Sequence, residues 1–157
     1  MDAPRTIETF YRDHSQAVFA FLVSLTRDRA RAEDLMQDTF VKATRSLGGY
    51  RGGSPRAWLF AIARTVFLDD TRRRHPIPVE EGLDRAVEEA DYAEHDAVER
   101  ALNALPERQR TALVLSDRLD LSGAEVAEAM GITPGAARVL IHRARLEFRA
   151  IYQEDAR

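Results

Sequence analysis

The chain has 157 residues, the size of one ordinary domain or two small helical ones, which argues against a single large α/β enzyme. Hydrophobic residues make up 45% and charged residues 31%, so a core can form and wholesale disorder is excluded. The absence of cysteine excludes disulfides, thiolate nucleophiles and cysteine-bound zinc, and we expect neither a metal nor another cofactor.

Localisation follows from the apolar pattern. The longest apolar run, residues 17–23, is far shorter than the roughly 20 residues that a membrane span requires. The acidic N-terminus is also unlike a secretion signal. We therefore expect a cytoplasmic protein without membrane insertion.

The net charge of −3 is unevenly distributed. Residues 1–74 carry a balance of +4, residues 75–97 a balance of −7, and residues 98–157 a balance of zero. Pro76 and Pro78 prevent a helix from running through the start of the acidic segment. We predict that residues 75–97 form a flexible acidic linker between two domains, 1–74 and 98–157.

The first 46 residues have apolar side chains at helical spacing. A first helix starts near Ile7, and Asp28 is placed to cap a second helix that runs to about Ser46. The glycine pair at residues 48–49 is expected to end it. The side chains expected to face the core are Phe10, Tyr11, Val18, Leu22, Leu25, Ala32, Leu35, Met36, Phe40 and Ala43.

A glycine-rich turn precedes the third predicted helix. Ser54 as N-cap and Pro55 at the first helical position start this helix, which ends in the cations of residues 72–74. The turn lacks the Gly-Lys-Ser/Thr of a phosphate-binding loop. The inward residues are Trp58, Leu59, Ile62, Ala63, Val66 and Phe67.

The second domain also has helical patterns throughout. We predict helices from Ala97 to Leu105 and from Pro106 to about Asp117. The capping box of Ser122 and Glu125 starts a compact helix, and its apolar face consists of Val126, Ala127 and Met130.

The end of that compact helix completes a helix-turn-helix. Gly131 supplies a left-handed position, and Thr133 with Pro134 starts a last helix to about Tyr152. Its inward residues are Ala137, Leu140, Ile141, Ala144 and Phe148. The fold class is thus all-α: two small helical domains, the second containing a helix-turn-helix.

Basic residues on two helices indicate nucleic-acid binding. The last helix carries Arg138, His142, Arg143, Arg145 and Arg149, which suit docking in a major groove; a solvated basic face is the alternative. The third helix combines Trp58 with a basic edge, a pattern typical of single-strand binding, although Trp58 alone is more often a core residue. The members of that basic edge are Arg64, Arg72, Arg73 and Arg74.

Several sequence blocks resemble one family in order and spacing. They are Glu33-Asp-Leu-Met-Gln-Asp-Thr-Phe-Val-Lys-Ala, Ala57-Trp-Leu-Phe-Ala-Ile-Ala-Arg, Asp69-Asp-Thr-Arg-Arg-Arg, Leu105-Pro-Glu-Arg-Gln-Arg, Glu125-Val-Ala-Glu-Ala-Met-Gly-Ile and His142-Arg-Ala-Arg. Together they resemble the extracytoplasmic-function (ECF) group of bacterial RNA polymerase sigma factors.

The resemblance implies a sigma factor, a non-enzymatic subunit that directs initiation by recognising promoter elements and helping to melt DNA. Its partners would be core polymerase, through the clamp helices of the largest subunit and the flap, and promoter DNA, both duplex and melted. The residues implied in polymerase binding are Asp34, Leu35, Gln37, Asp38 and Phe40. Those implied in DNA binding are Arg56, Arg64, Thr65, Arg72, Arg73 and Arg74 for the minus-ten element, and Thr133, Ala136, Arg138, His142, Arg143 and Arg145 for the minus-thirty-five element. An anti-sigma partner is also implied.

Two positions depart from the family pattern. Thr65 stands where asparagine is common, and Leu140 stands where many members have arginine. The second change removes one expected phosphate contact, which would lower the salt dependence of DNA binding by about one ion.

Three other functions compete with this interpretation. A sigma mimic would keep the fold but sequester an anti-sigma factor without binding promoter DNA, and Leu140 keeps that alternative open. A transcriptional repressor would leave the block at residues 34–38 unexplained. An enzyme lacks a positioned nucleophile, metal cluster or carboxylate pair.

Overall fold

The computed structural model describes residues 6–75 and 97–155, and both parts are helical. The N-terminal domain consists of α1 (Ile7–Thr26), α2 (Arg29–Ser46) and α3 (Pro55–Arg74), with a 3₁₀ turn (Leu47–Gly49) after α2. The C-terminal domain consists of α4 (Ala97–Ala104), α5 (Glu107–Leu113), a π-helical turn (Val114–Arg118), α6 (Gly123–Met130) and α7 (Pro134–Asp155). The all-α prediction is confirmed, with no strand in these two ranges. Residues 76–96 of the predicted linker lie outside the described residues.

Side-chain caps start the helices of the N-terminal domain where the sequence predicts. Asp28 accepts a hydrogen bond from the backbone nitrogen of Arg31, and Ser54 accepts one from Ala57. These bonds satisfy amide groups that have no partner within the first turn of a helix. The beginnings of α2 and α3 are therefore fixed by local sequence.

α2 ends at Ser46 as predicted, but the glycine pair at residues 48–49 does not end it in the expected way. No left-handed glycine stops the helix at residues 48–49; the chain tightens into the 3₁₀ turn, closed by a 3.1 Å bond from Tyr50 N to Leu47 O. Gly52 and Gly53 adopt positive φ instead, at 90° and 86°. The chain reverses direction at Gly52 and Gly53 and not at residues 48–49. The reason is that the 3₁₀ turn continues the helix through the first glycine pair without a left-handed residue.

The helix-turn-helix forms from α6 and α7. Ser122 and Glu125 make both bonds of the capping box at the start of α6. Gly131 then adopts φ 68°, and Thr133 caps α7 through a 3.1 Å bond from the Ala136 backbone nitrogen. Local turn chemistry thus ends α6 and starts α7.

The two domains pack directly against each other. In the N-terminal domain Phe21 and Phe60 are fully buried and meet edge to face at 5.2 Å. In the C-terminal domain Leu105, Leu115 and Val126 are equally buried, and the buried apolar residues of both domains belong to one cluster. The main contact between domains joins α3 to α6.

No helix in the described ranges is both long and apolar enough to cross a bilayer.

Candidate nucleic-acid and protein-binding surfaces

An acidic patch lies on the exposed face of α2. Asp34, Gln37 and Asp38 are exposed, and the neighbouring Val41 is 50% exposed. These four residues follow i, i+3, i+4 and i+7 spacing and so share one helix face. We call them the α2 patch. It offers carboxylate and amide oxygens beside a small apolar surface, which suits a partner helix with basic and apolar side chains.

Two residues that the family resemblance implies in polymerase binding, Leu35 and Phe40, lie in the core, as their helical spacing predicts. Leu35 is 2% exposed and Phe40 is 7% exposed, and the Phe40 ring packs edge to face on Tyr11 at 4.9 Å. They lie on the opposite side of α2, so they shape the patch by fixing the helix to α1 without being part of its surface.

The C-terminal turn of α3 presents three cations. The side chains of Arg72, Arg73 and Arg74 are 77%, 71% and 56% exposed, so all three are accessible to a phosphate backbone. Asp70, only 15% exposed, anchors this end through bonds from Arg74 at 3.1 Å and from Arg31 at 2.7 Å. No sequence motif marks Arg31. Its role in holding Asp70 becomes visible only when α2 packs on α3.

Thr65 and Trp58 lie on the same helix in different environments. Thr65 is exposed, and its hydroxyl donates to the Ala61 carbonyl at 3.0 Å. Trp58 is half-buried in an aromatic cluster with Phe10 and Tyr50, at centroid distances of 5.7 and 5.1 Å. Its packing matches the core interpretation of this tryptophan.

Two further predicted DNA-binding cations point into the interface between the domains. Arg56 donates to the Glu125 carboxylate from Nε at 2.9 Å and from Nη2 at 2.8 Å, and the Ser54 hydroxyl donates to it at 2.6 Å. Arg64 donates to Glu107 at 3.3 Å and retains 17% side-chain exposure. The sequence marks Glu125 as a helix cap but gives no sign of this second role.

The electrostatics of Glu125 follow from these bonds. The hydrogen bonds from Arg56, with smaller contributions from Ser54 and the Ser122 backbone, lower the pKa of Glu125 from 4.5 to about 2. The same carboxylate raises the pKa of Arg56. Both groups are therefore charged at neutral pH, and the pair is a charge-assisted contact.

Acid titration should weaken this pair. Because the pKa of Glu125 is lower in the folded chain than its ordinary 4.5, its stabilisation is fully present above pH 4.5 and is lost as the pH falls toward 2. We expect Glu125→Gln to lower the free energy of unfolding by about 2 kcal/mol at pH 7, allowing for partial solvent screening. Urea titrations of both proteins should give about the same difference in the free energy of unfolding at pH 7 and pH 5, and a smaller difference at pH 3. A difference that is unchanged between pH 5 and pH 3 would contradict the assignment.

Most of the residues of α7 predicted to bind DNA lie on an exposed face of the helix. Thr133, Ala136, Arg138, His142 and Arg143 are exposed, whereas the intervening Ala137, Ile141 and Ala144 are buried. The exposed set starts at the N-terminus of the second helix of a helix-turn-helix, which is the end that contacts base edges.

Arg145 has a different environment from its neighbours on α7. It donates to both carboxylate oxygens of Asp117, at 2.9 and 2.5 Å, and to Ser116 at 3.3 Å. The hydrogen bonds from Arg145 lower the pKa of Asp117. This contact ties α7 to the π-helical turn, so Arg145 helps to hold α7 in place.

A shallow cleft beside the exposed face of α7 is lined in part by residues of α5 for which the sequence predicts no DNA-binding role. Arg108 and Gln109 of α5 line it together with Ala136, Leu140 and Arg143 of α7. The exposed Arg108 thus extends the basic surface of α7. The Leu105-Pro-Glu-Arg-Gln-Arg block was the signal that could have indicated it.

A separate apolar groove lies between α4, the π-helical turn and the C-terminal half of α7. Val98, Leu102, Val114, Phe148 and Tyr152 line it. The rings of Phe148 and Tyr152 stack at 5.9 Å. An apolar groove with aromatic walls fits the nonpolar face of an amphipathic segment.

Comparison with known proteins places this architecture in a class. Residues 10–76 match Sigma-70 region 2, and residues 95–148 match Sigma-70 region 4. A two-domain helical chain with these regions in this order is an RNA polymerase sigma factor.

Relatives define the group within that class. The chain is 31% identical to the RNA polymerase sigma factor YlaC of Bacillus subtilis, covering 92% of this chain and 90% of YlaC. It is 36% identical to the ECF sigma factor SigE of Mycolicibacterium smegmatis, over 88% of this chain, and spans 58% of the length of SigE. The chain belongs to the ECF group of RNA polymerase sigma factors.

A solved structure has the same fold. It is the co-crystal structure of the sigma factor RpoE with the anti-sigma factor NepR from Bartonella quintana, with 26% identity and a TM-score of 0.74. The alignment covers 93% of this chain and 96% of that one. The similarity therefore extends over both domains.

Proposed function

We propose that this chain binds core RNA polymerase and directs it to promoters, without catalytic activity of its own. The α2 patch would contact the clamp helices of the largest subunit. The apolar groove of the C-terminal domain would receive a segment of the flap. The observation that carries the proposal is that Asp34, Gln37 and Asp38, in the block resembling the family's polymerase-binding surface, are exposed together on one face of α2.

Promoter recognition would be divided between the domains. The exposed face of α7 would enter the major groove of the minus-thirty-five element, with Arg138 and His142 near base edges. The cations at the end of α3 and the exposed Thr65 would hold the melted minus-ten strand. Because the factor would bind separated strands more tightly than duplex, this difference in affinity would shift the equilibrium toward the open promoter.

Regulation by an anti-sigma factor is the second part of the proposal. The co-crystal structure with the same fold contains a sigma factor bound to an anti-sigma factor. A partner that binds both domains of this chain would cover its polymerase-binding and DNA-binding surfaces together.

Transcription reconstituted with core polymerase and a promoter library tests the proposal. We expect initiation at a shared two-part motif that depends on the added chain. Absence of initiation, together with tight binding to an anti-sigma protein, would overturn the proposal and favour the sigma mimic.

A further inference from the structure

The exposed face of α7 carries an apolar residue among its polar ones. Val139 is 49% exposed, and it lies two positions after the buried Ala137 and two before the buried Ile141. Residues two apart on a helix differ by about 200° in direction, so the Val139 side chain points away from the core. It therefore belongs to the surface that the proposed function assigns to the major groove, together with Arg138 and His142.

We propose that Val139 is a specificity-determining residue, which contacts the methyl group of one thymine in the minus-thirty-five element. This inference rests on the proposed function and adds a base that the last helix selects. A thymine–adenine pair is then required at one position of that element.

The chemistry of the major groove determines which base suits a valine. Base pairs present hydrogen-bond donors and acceptors there, and thymine adds the C5 methyl group as an apolar contact. If another base lay under Val139, its polar edge would lose water without gaining a partner, because the valine side chain has no donor or acceptor. Contact with the thymine methyl group instead buries apolar surface on both sides.

Small neighbours of Val139 allow α7 to approach the base edges closely. Gly135 lies about one turn before Val139, and a Cβ atom placed on Gly135 would meet no packing partner within 4 Å. Packing within the described residues therefore does not require glycine at this position, whereas a missing side chain lets a ligand approach the backbone. Ala136, three residues before Val139, is also small and exposed.

Cations next to Val139 would hold the DNA backbone. Arg108 and Arg143 are exposed and line the shallow cleft to which Val139 and Leu140 also belong. Contacts from these arginines to phosphates would set the position of the helix but would carry no sequence information. Val139 is more exposed than the half-buried Leu140, so Val139 is the apolar side chain that can reach a base edge.

Replacing thymine by deoxyuridine removes the methyl group and keeps the base pair. The complex of this chain with core polymerase is bound to labelled duplexes of a promoter selected in the transcription experiment, and each thymine of the minus-thirty-five element is replaced in turn on both strands. We expect one replacement to weaken binding about fourfold, which corresponds to the loss of one buried methyl group. A gel-shift titration measures the affinity.

Val139→Ala shortens the side chain that would contact this methyl group. The position is exposed and alanine favours helix, so α7 should still form. We expect the variant to bind the thymine promoter at least about fourfold more weakly than wild type, and to lose less than about 1.5-fold more when deoxyuridine replaces the critical thymine. An effect of deoxyuridine on the shape of the duplex would instead weaken both proteins equally.

Leu146→Ala is the matched control. Leu146 is also 49% exposed, and it follows Val139 by seven residues on the same face of α7. It lies about 10 Å farther from the N-terminal end of the helix, which is the end that contacts base edges. We expect this variant to keep the fourfold response to deoxyuridine. Circular dichroism and binding to core polymerase should be the same for both variants and wild type.

The outcomes separate this inference from the proposed function. The assignment of Val139 is overturned if no thymine responds, if Val139→Ala keeps the full response, or if Leu146→Ala loses it as well. In each of these cases, initiation by wild type at a two-part motif would still support the proposed function. If wild type initiates at no shared motif, the proposed function fails and the inference fails with it.

Discussion

Replacing Gln37 and Asp38 together by arginine should abolish binding to core polymerase and leave the fold intact. Both side chains are exposed on α2, and the buried stripe that holds the helix contains neither. The change adds three positive charges to a patch whose proposed partner surface is basic, and like charges across an interface cost several kcal/mol. We expect affinity for core polymerase to fall at least about 100-fold. Fluorescence anisotropy with labelled factor measures the affinity.

A control with the same charge change isolates the role of the α2 patch. Asp13→Arg plus Gln16→Arg alters two exposed positions of α1 and also adds three positive charges. We expect it to bind core polymerase nearly as wild type, and circular dichroism should show both variants folded. Wild-type affinity in the α2 variant would show that polymerase binds elsewhere.

Arg110→Met should strongly destabilise the C-terminal domain. Arg110 is 3% exposed and donates to the carbonyls of Leu102 and Leu105 at 3.2 and 2.9 Å. These carbonyls close the C-terminal end of α4, where the helix dipole favours a cation. Burial, with a smaller effect of nearby Arg27, lowers its pKa to about 10, so it stays charged at neutral pH.

Removing this side chain takes the Arg110 donor from the Leu105 carbonyl, while the Leu102 carbonyl keeps its bond from Leu105 N at 3.1 Å. We expect the C-terminal domain to lose about 3 kcal/mol of stability. Hydrogen exchange should show faster exchange of amides in α4, α5 and α7, which pack together, with α2 little changed. Arg108→Met is the matched control because Arg108 is exposed on the same helix, and it should cost less than about 0.5 kcal/mol. Equal loss in both variants would contradict the capping role.

Most helix boundaries could be predicted because they depend on interactions between residues only two to four positions apart. The caps at Asp28, Ser54, Ser122 and Thr133 lie as expected because each side chain bonds a backbone amide three residues later. The end of the helix that starts at Pro106 was harder to predict. Its last turn is π-helical, with a bond from Leu119 N to Val114 O, and no local residue signals that change.

Residues on a correctly predicted helix were harder to assign to a surface. Leu35 and Phe40 belong to a block that resembles a polymerase-binding motif, and their burial on α2 follows the helical spacing of the apolar residues and not the motif. Arg145 belongs to a basic stretch, yet it bonds to Asp117, 28 residues earlier. A motif identifies the helix, but packing decides which of its side chains remain free.

The sequence by itself determined the helices, their caps, the helix-turn-helix and the family, because these depend on contacts within a few residues or on motif order. The tertiary structure alone showed that Ser54 and Arg56 meet Glu125 across 71 and 69 positions of the chain. It alone showed that Arg64 meets Glu107 and that Arg110 closes α4. The physical reason is that a charged side chain selects its partner only after apolar burial has brought the helices together, and no local pattern encodes that meeting.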